Sequence, residues 1–273
     1  MYESYWQLDA KPFEAGCDPR YFFPGEAHQA ALLKLRYAVE NRRGGAVLAG
    51  ASGVGKTLLV EFLKTTLDSA VTPMVHLVFP RMEPEELLAY LADELQGVEP
   101  SGGTPATHQS VRRIRDFLAK NAERGRHALV LIDEAHLIDD AARLETLRML
   151  LNFECDGRPT ITLLLVGQPG LLTALERTPQ LEERLDVKCL LRPFAPAETA
   201  AYVEHRLRVA GAGKSVFADE ALEIVHEFSR GVPRRINRLC DLALLIGYAE
   251  ELDSISPAHL QSVQQELVTV TCE

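Results

Sequence analysis

Apolar positions fall into two regimes along the chain. Between residues 46 and 191, short apolar or β-rich runs alternate with helical periodicity, and after residue 193 only the helical period remains. The runs are 46–49, 74–79, 128–132, 161–166 and 187–191. Turn residues bound them, as expected for strands buried on both faces. Leu59, Phe62, Leu63 and Leu67 share one face of a helix over 56–67, and Val111, Ile114 and Leu118 do so over 110–122. Helices are also expected over 26–41, ended by Gly44-Gly45, over 141–153, and over 84–96, with Pro84 at its start and Gly97 past its end. The segment 97–107 (GVEPSGGTPAT) reads as the clearest loop. Four more helices, 196–210, 218–229, 233–249 and 257–267, follow with no strand between them. Residues 1–25 show neither period. They are rich in aromatics and proline and suggest an irregular arm lying on the body.

Strands alternating with helices predict an α/β three-layer sandwich around a mainly parallel sheet. The change of pattern places a domain boundary near 192–196. It divides a sheet domain with its aromatic arm, 1–195, from an all-helical domain, 196–273.

The first turn after a strand carries chemistry. Gly50-Ala51-Ser52-Gly53-Val54-Gly55-Lys56-Thr57 fits G-x-x-x-x-G-K-[ST], with a strand before it and a helix through Leu58 after it. The glycines let successive N–H groups turn inward around a phosphate, and the helix adds its positive N-terminal end. Lys56 then reaches the β- and γ-phosphates of ATP, and the Thr57 hydroxyl joins the Mg²⁺ shell. Strand 128–132 ends in Asp133-Glu134. In a parallel sheet those carboxylates emerge at the edge where the phosphate loop opens. Asp133 would hold Mg²⁺ through water, and Glu134 would orient and deprotonate the attacking water. The run Asp-Glu-Ala-His136 spells DEAH, but the helicases that carry it need two tandem sheet domains, and this chain turns all-helical after 195. His136 also reads as a plain helix-start residue.

Three further polar residues are candidates for sensing the γ-phosphate. Gln168 follows strand 161–166. Arg184, in a short helix before the last strand, is a candidate arginine finger for a neighbouring subunit's ATP, with Arg177 in reserve. Arg184 reads equally as a surface residue paired with Glu182 or Glu183. Arg234, in Gly231-Val-Pro-Arg234-Arg235, would lean toward the phosphates and make closure of the helical domain depend on nucleotide.

Composition narrows the setting. The net charge is −10, which argues against neutralising nucleic-acid phosphates over a broad surface. It leaves local clusters at Arg112, Arg113 and Arg115 and at Arg234, Arg235 and Arg238, each of which also reads as a solvated helix face. Five cysteines, Cys17, Cys155, Cys189, Cys240 and Cys272, with no CxxC spacing, read as reduced thiols in the cytoplasm. No apolar run approaches the ~20 residues of a membrane helix, so work at a membrane would require a partner.

Together, the phosphate loop, the Asp-Glu strand, the polar residue after the next strand, the Arg before the last strand and Gly-x-Pro-Arg in a helical lid resemble a P-loop NTPase of the AAA+ type. Tyr5-Trp6-x-Leu8, Pro12-Phe13, the run from Asp18 to Pro24, His28, Val166-Gly-Gln-Pro169 and the run from Gly231 to Asp241 narrow the resemblance. They are similar to the ATPases grouped with general secretion pathway protein A and with pilus and exopolysaccharide assembly. The resemblance implies an ATP- and Mg²⁺-dependent switch that forms nucleotide-dependent homo-oligomers. It also implies work on a protein partner at the inner membrane. It places Tyr21, Phe22 and His28 near the adenine base. The same core signature occurs in transposition target-selection ATPases, which keeps a DNA-associated ATPase as the alternative. The group commonly has Gln where this chain has His136. Its secretion members usually continue past the lid into a membrane helix and a periplasmic region, whereas the sequence here ends at Glu273. The expectation therefore rests on the ATPase core.

Overall fold

The computed structural model describes residues 1–68, 72–78, 80–99, 105–138 and 140–269. Phe79, the middle of the loop 97–107 and Cys272 lie outside the described residues. The chain divides into two compact units. One comprises Gln29–Ser52 and Leu63–Leu191; the other comprises Met1–His28, Gly53–Phe62 and Arg192–Glu273.

In chain order the elements of the first unit begin with α1 (Glu26–Glu40), whose first turn belongs to the other unit, and β1 (Gly45–Gly50). The strand leads through residues 51–55 into α2 (Lys56–Thr66), of which the part up to Phe62, with Gly53–Gly55 before it, belongs to the other unit. Then come β2 (Met74–Leu77), α3 (Pro84–Gln96), α4 (Thr107–Glu123), β3 (Ala128–Ile132) and α5 (Ala141–Leu150). A hairpin follows, β4 (Glu154–Cys155) and β5 (Arg158–Pro159). β6 (Ile161–Gly167), α6 (Gly170–Glu176), α7 (Pro179–Glu182) and β7 (Val187–Leu191) complete the unit.

Five strands form a wholly parallel sheet in the order β2-β3-β6-β1-β7. Every residue of β1, β3 and β6 is buried, which is why these strands read as unbroken apolar runs. β2 and β7 alternate between buried and more exposed positions, as edge strands do. The buried core is aliphatic throughout, from Val47 and Val130 on the strands to Leu91 on α3 and Ile114 on α4. Flanking helices close it, and the whole has the P-loop NTPase architecture.

Several boundaries differ from the sequence reading. α5 stops at Leu150, not 153, because the Phe153 carbonyl accepts bonds from the Thr160 amide and hydroxyl, extending the hairpin. The hairpin and α6 have no counterpart in the periodicity. Each strand of the hairpin has only two residues, too few to show a period of two. β6 runs one residue further, to Gly167, and α11 two residues further.

The second unit packs α8 (Pro196–Val209), α9 (Asp219–Ser229), α10 (Pro233–Ala249) and α11 (Pro257–Thr269) around a core that includes the N-terminal arm. Trp6 is 2% exposed and donates its indole N–H to the Leu244 carbonyl at 2.9 Å. Tyr2 donates its hydroxyl to Asp241, Tyr5 donates to Leu252 O, and the Asp9 amide bonds Ala210 O at 2.8 Å. Arg206 on α8, 3% exposed, donates to the carbonyls of Pro12 and Glu14 and lies 4.4 Å over the Tyr21 ring. The arm is thus part of the helical unit, whereas the sequence pattern assigned it to the segment 1–195. Its large amphipathic rings bury their faces among the helices and tie their polar tips to the Leu244 and Leu252 carbonyls and to Asp241.

Candidate functional site

The phosphate loop leaves the C-terminal end of β1. Gly53 and Gly55 have φ of +81° and +97°, a region that costs an L side chain about 1–2 kcal/mol. These two turns bring the chain to α2, which starts at Lys56. Lys56 is 7% exposed and Thr57 half-buried on the first turn of that helix. Ala51 and Ser52 are exposed, Val54 is fully buried, and Leu58 is half-buried on α2.

In the helical unit two groups address this loop. The first is His28, 3% exposed, whose Nε2 lies 2.8 Å from the Val54 carbonyl. A carbonyl only accepts, so Nε2 carries the proton. Burial lowers the imidazole's pKa below the usual histidine value, which keeps the ring neutral. The buried Nδ1 has no hydrogen-bond partner among the described residues. The second is Arg234, on the first turn of α10. Its amide donates to Gly53 O at 3.2 Å, and a Cβ added at Gly53 would stand 2.8 Å from its Cβ. Gly53 is therefore required both for φ and for room. Phe22, 7% exposed, stacks on Phe62 of α2 with ring centroids 4.3 Å apart. The structure brings His28, Phe22 and Arg234 to the loop and its helix. Tyr21 is instead engaged by Arg206.

In the sheet unit the carboxylates sit where the parallel order puts them. β6 lies between β3 and β1, so Gly50, Gly167 and Ile132 end at one edge of the sheet. Asp133 is 5% exposed. Its amide donates to Leu77 O, and its Oδ1 accepts the Glu134 amide at 2.8 Å. Glu134 takes φ +50° and ψ 32°, a left-handed conformation uncommon for a side-chain-bearing residue and often found at functional positions. A short 3₁₀ turn, Ala135–Leu137, follows. It places His136 Nδ1 3.2 Å from Glu134 Oε2. Gln168 is exposed just past β6, at the same sheet edge.

The remaining arginines separate. Arg184 donates to Leu151 O at 3.2 Å, at the end of α5, while Glu182 pairs with Lys188, so the surface pair expected for Arg184 is absent among the described residues. Arg177 is exposed at the end of α6. The cluster on α4 is paired in part: Arg113 pairs with Asp93 at 2.7 Å, and Arg112 and Arg115 share Asp116. Arg235 and Arg238 are exposed on α10. Among the described residues no group of three acidic, His or Cys side chains could hold a metal, and no helix is long and apolar enough to cross a membrane. The four described cysteines are free thiols.

Sequence reasoning missed Phe62 as a partner of the arm and the placement of His136 against Glu134. Phe62 read as an ordinary apolar helix position, and only the pairing in space distinguishes it. The residues present fit a nucleotide triphosphate. The loop turns at two positive-φ glycines, a lysine is buried at the following helix start, and a neutral buried imidazole with a spare ring nitrogen lines the loop.

Comparison with known proteins agrees with this geometry. The AAA domain matches residues 39–175. The chain is 35% identical over 253 residues to general secretion pathway protein A of Aeromonas hydrophila, covering 91% of this chain and 45% of that one. The chain thus spans about half the length of the curated relative it matches. Among solved structures, ORC2 of Aeropyrum pernix in its ADPNP–ADP complexes superposes with a TM-score of 0.70 at 20% identity, over 94% of this chain and 72% of that one. Cdc6p of Pyrobaculum aerophilum gives 0.70 at 17% over 91% and 71%, and the Thermotoga maritima RuvB Holliday junction branch migration motor 0.60 at 20% over 89% and 69%. At these identities the structural likeness shows the fold.

Proposed function

Because the chain belongs to the AAA domain family, we propose that it binds ATP with Mg²⁺, hydrolyses it, and uses the cycle to change the state of a protein assembly. The observation that carries this is the shared sheet edge. The phosphate loop leaves β1, and the Asp133-Glu134 pair leaves β3, on the same side of a wholly parallel sheet. In this reading Gly50 to Leu58 supply the amides and helix end that receive the phosphates, and Lys56 compensates the β- and γ-phosphate charge. Thr57 and Asp133 are the residues that would hold Mg²⁺, which when bound supplies charge neutralisation between the phosphates. Glu134 accepts the proton of the attacking water. Gln168 contacts the γ-phosphate end, and Arg234 reports nucleotide state to α10. His28 and Phe22 would stand on the base side, while Tyr21 is held by Arg206.

The test compares wild type with Glu134→Gln. Hydrolysis should fall by at least about 100-fold while ATP affinity is kept, the effect expected for removing a general base. Equal turnover by the two proteins would sink the assignment.

The name of the Aeromonas relative supports a setting in secretion; in this reading the ATPase is cytoplasmic and a partner holds it at the inner membrane. Arg184 would complete a neighbour's site in a nucleotide-dependent homo-oligomer, so specific activity should rise with protein concentration. The second reading, a DNA-associated ATPase, draws on the exposed Arg235 and Arg238 beside Arg234. DNA-stimulated turnover that falls steeply with salt would favour it.

A further inference from the structure

The pair Glu134–His136 has chemistry that the roles above do not use. Glu134 is half-exposed, with a side chain long enough to take several rotamers, and a general base must present one oxygen in one direction. Its backbone is already fixed. The left-handed φ, the bond from its amide to Asp133 Oδ1 and the bond from the Leu137 amide to its carbonyl leave only the side-chain torsions free.

His136 faces that freedom. Its side chain is 17% exposed, and its Nδ1 stands 3.2 Å from Glu134 Oε2. Nδ1 is buried and has no well-aligned hydrogen bond among the described residues, so at 3.2 Å from Glu134 Oε2 the contact is one of proximity. The imidazole is held from behind. A Cβ on Gly167 would come within 3.0 Å of the His136 amide nitrogen and 3.4 Å of its Cβ, so the end of β6 buttresses the turn that carries the ring. An apolar filler of this gap would need no polar atom, yet a buried ring nitrogen faces the carboxylate.

We infer that His136 is a positioning residue for Glu134. Its Nδ1–H donates to one carboxylate oxygen and leaves the other directed at the attacking water. The inference rests on the ATPase reading and deepens it. His136 does not touch substrate; it acts by narrowing the orientations of Glu134.

The experiment uses the full chain and four variants: His136→Leu, His136→Gln, Glu134→Gln and the Glu134→Gln/His136→Leu double variant. Turnover against ATP concentration and thermal melting are read for each. His136→Leu fills the gap without a donor and should lower kcat roughly tenfold, the low end for a partner that orients a reacting group. KM should stay within about twofold, because no ground-state contact to nucleotide is lost. His136→Gln returns a donor and should recover most of kcat. In the Glu134→Gln background, His136→Leu should remove nothing further, because residues acting as a unit are not additive. Wild-type kcat in His136→Leu, equal losses in the Leu and Gln variants at unchanged melting temperature, or an undiminished loss in the Glu134→Gln background would each overturn it. If wild type itself does not hydrolyse ATP, the ATPase reading falls, and the role of His136 with it. The contact is read separately by ¹⁵N NMR of labelled histidine, where the Nδ1–H tautomer is expected, and a His136 Nδ1 without a proton would refute the donor geometry.

Discussion

The two units of this chain are built from different materials. The buried core of the sheet unit is wholly aliphatic; aromatic rings, Tyr90, Phe117 and Phe153, appear only at its margin. The helical unit buries Tyr2, Trp6, Phe13, Phe194, Tyr202 and Phe217 and ties several of their neighbours together with side-chain hydrogen bonds to carbonyls far away in sequence. Parallel strands need only apolar side chains on both faces, because the backbone ladder already satisfies their polar groups. The arm has no ladder. Its place is specified by shape and by polar tips that find partners about 200 residues or more away. One core is therefore written locally and the other is written in pairs.

Truncating a ring in the helical unit should break the comparison most strongly. Trp6→Ala removes a 2%-exposed indole and its bond to the Leu244 carbonyl, and about 4 kcal/mol of stability should be lost. Leu163→Ala in β6 should cost about 3 kcal/mol by cavity formation alone. Denaturant unfolding followed by tryptophan fluorescence for Leu163→Ala, and by circular dichroism for both, measures the difference. Equal effects, with no release of the arm in Trp6→Ala by limited proteolysis, would erase the distinction. Next is Gly231, at φ +69°, where an added Cβ would stand 2.0 Å from the Phe194 carbonyl oxygen. Gly231→Ala combines left-handed strain with a backbone clash, and about 3 kcal/mol is expected. The same unfolding assay reads it.

This difference explains what the sequence revealed. β1, β3 and β6, the phosphate loop and the Asp133-Glu134 pair are contiguous, and their chemistry follows from period and spacing. The sheet edge that gathers them follows from parallel order. Gln168 and Arg234 are legible as polar residues, one past a strand and one at a helix start, and the Arg234 amide bonds Gly53 O. Arg206 was not legible: a helical arginine reads as solvated, and only the arm's carbonyls and Tyr21 explain its burial. The hairpin at 154–159 did carry a local signal, Asp156-Gly157, with both residues at positive φ, but two-residue strands offered no alternation to support it. His28 was placed near the nucleotide only by resemblance. Its bond to Val54 joins positions 26 residues apart with no pattern between them.

A buried polar pair in the sheet unit sharpens the contrast. His127 is 3% exposed, and its Nε2 lies 2.7 Å from Thr162 Oγ1, which itself donates to Arg43 O. The imidazole therefore donates, as a neutral ring. Burial, with the Arg42 charge nearby, pushes its pKa down to about 4 from the ordinary 6.5. Between those values the unfolded chain binds the proton and the folded chain does not. The contribution is whole above about pH 6.5 and is lost as pH falls toward 4, by about 3 kcal/mol at most. His127→Gln should flatten this part of the stability–pH curve relative to wild type, as urea unfolding at pH 7.5, 6.0 and about 4.5 would show. An unchanged slope would place the proton uptake elsewhere.

The smallest effect separates structure from nucleic-acid binding on α4. Arg113 is 30% exposed at its side chain, pairs with Asp93 on α3 at 2.7 Å and donates twice to Gln96. Its positive charge is spent joining two helices, and solvent screening holds its value to about 1 kcal/mol. Arg235 on α10 is exposed and lies beside the phosphate-loop contact of Arg234. Arg113→Ala should therefore lower stability by about 1 kcal/mol and leave any DNA-stimulated turnover at its wild-type salt slope. Arg235→Ala should cost under about 0.5 kcal/mol, as surface substitutions do. If DNA is a ligand, it is the Arg235 variant whose salt slope falls by about one. A loss of DNA stimulation in Arg113→Ala at unchanged stability would mean that the Asp93 pair opens to release a phosphate contact, and the aliphatic unit would then carry the binding face that the comparison assigns to the helical one.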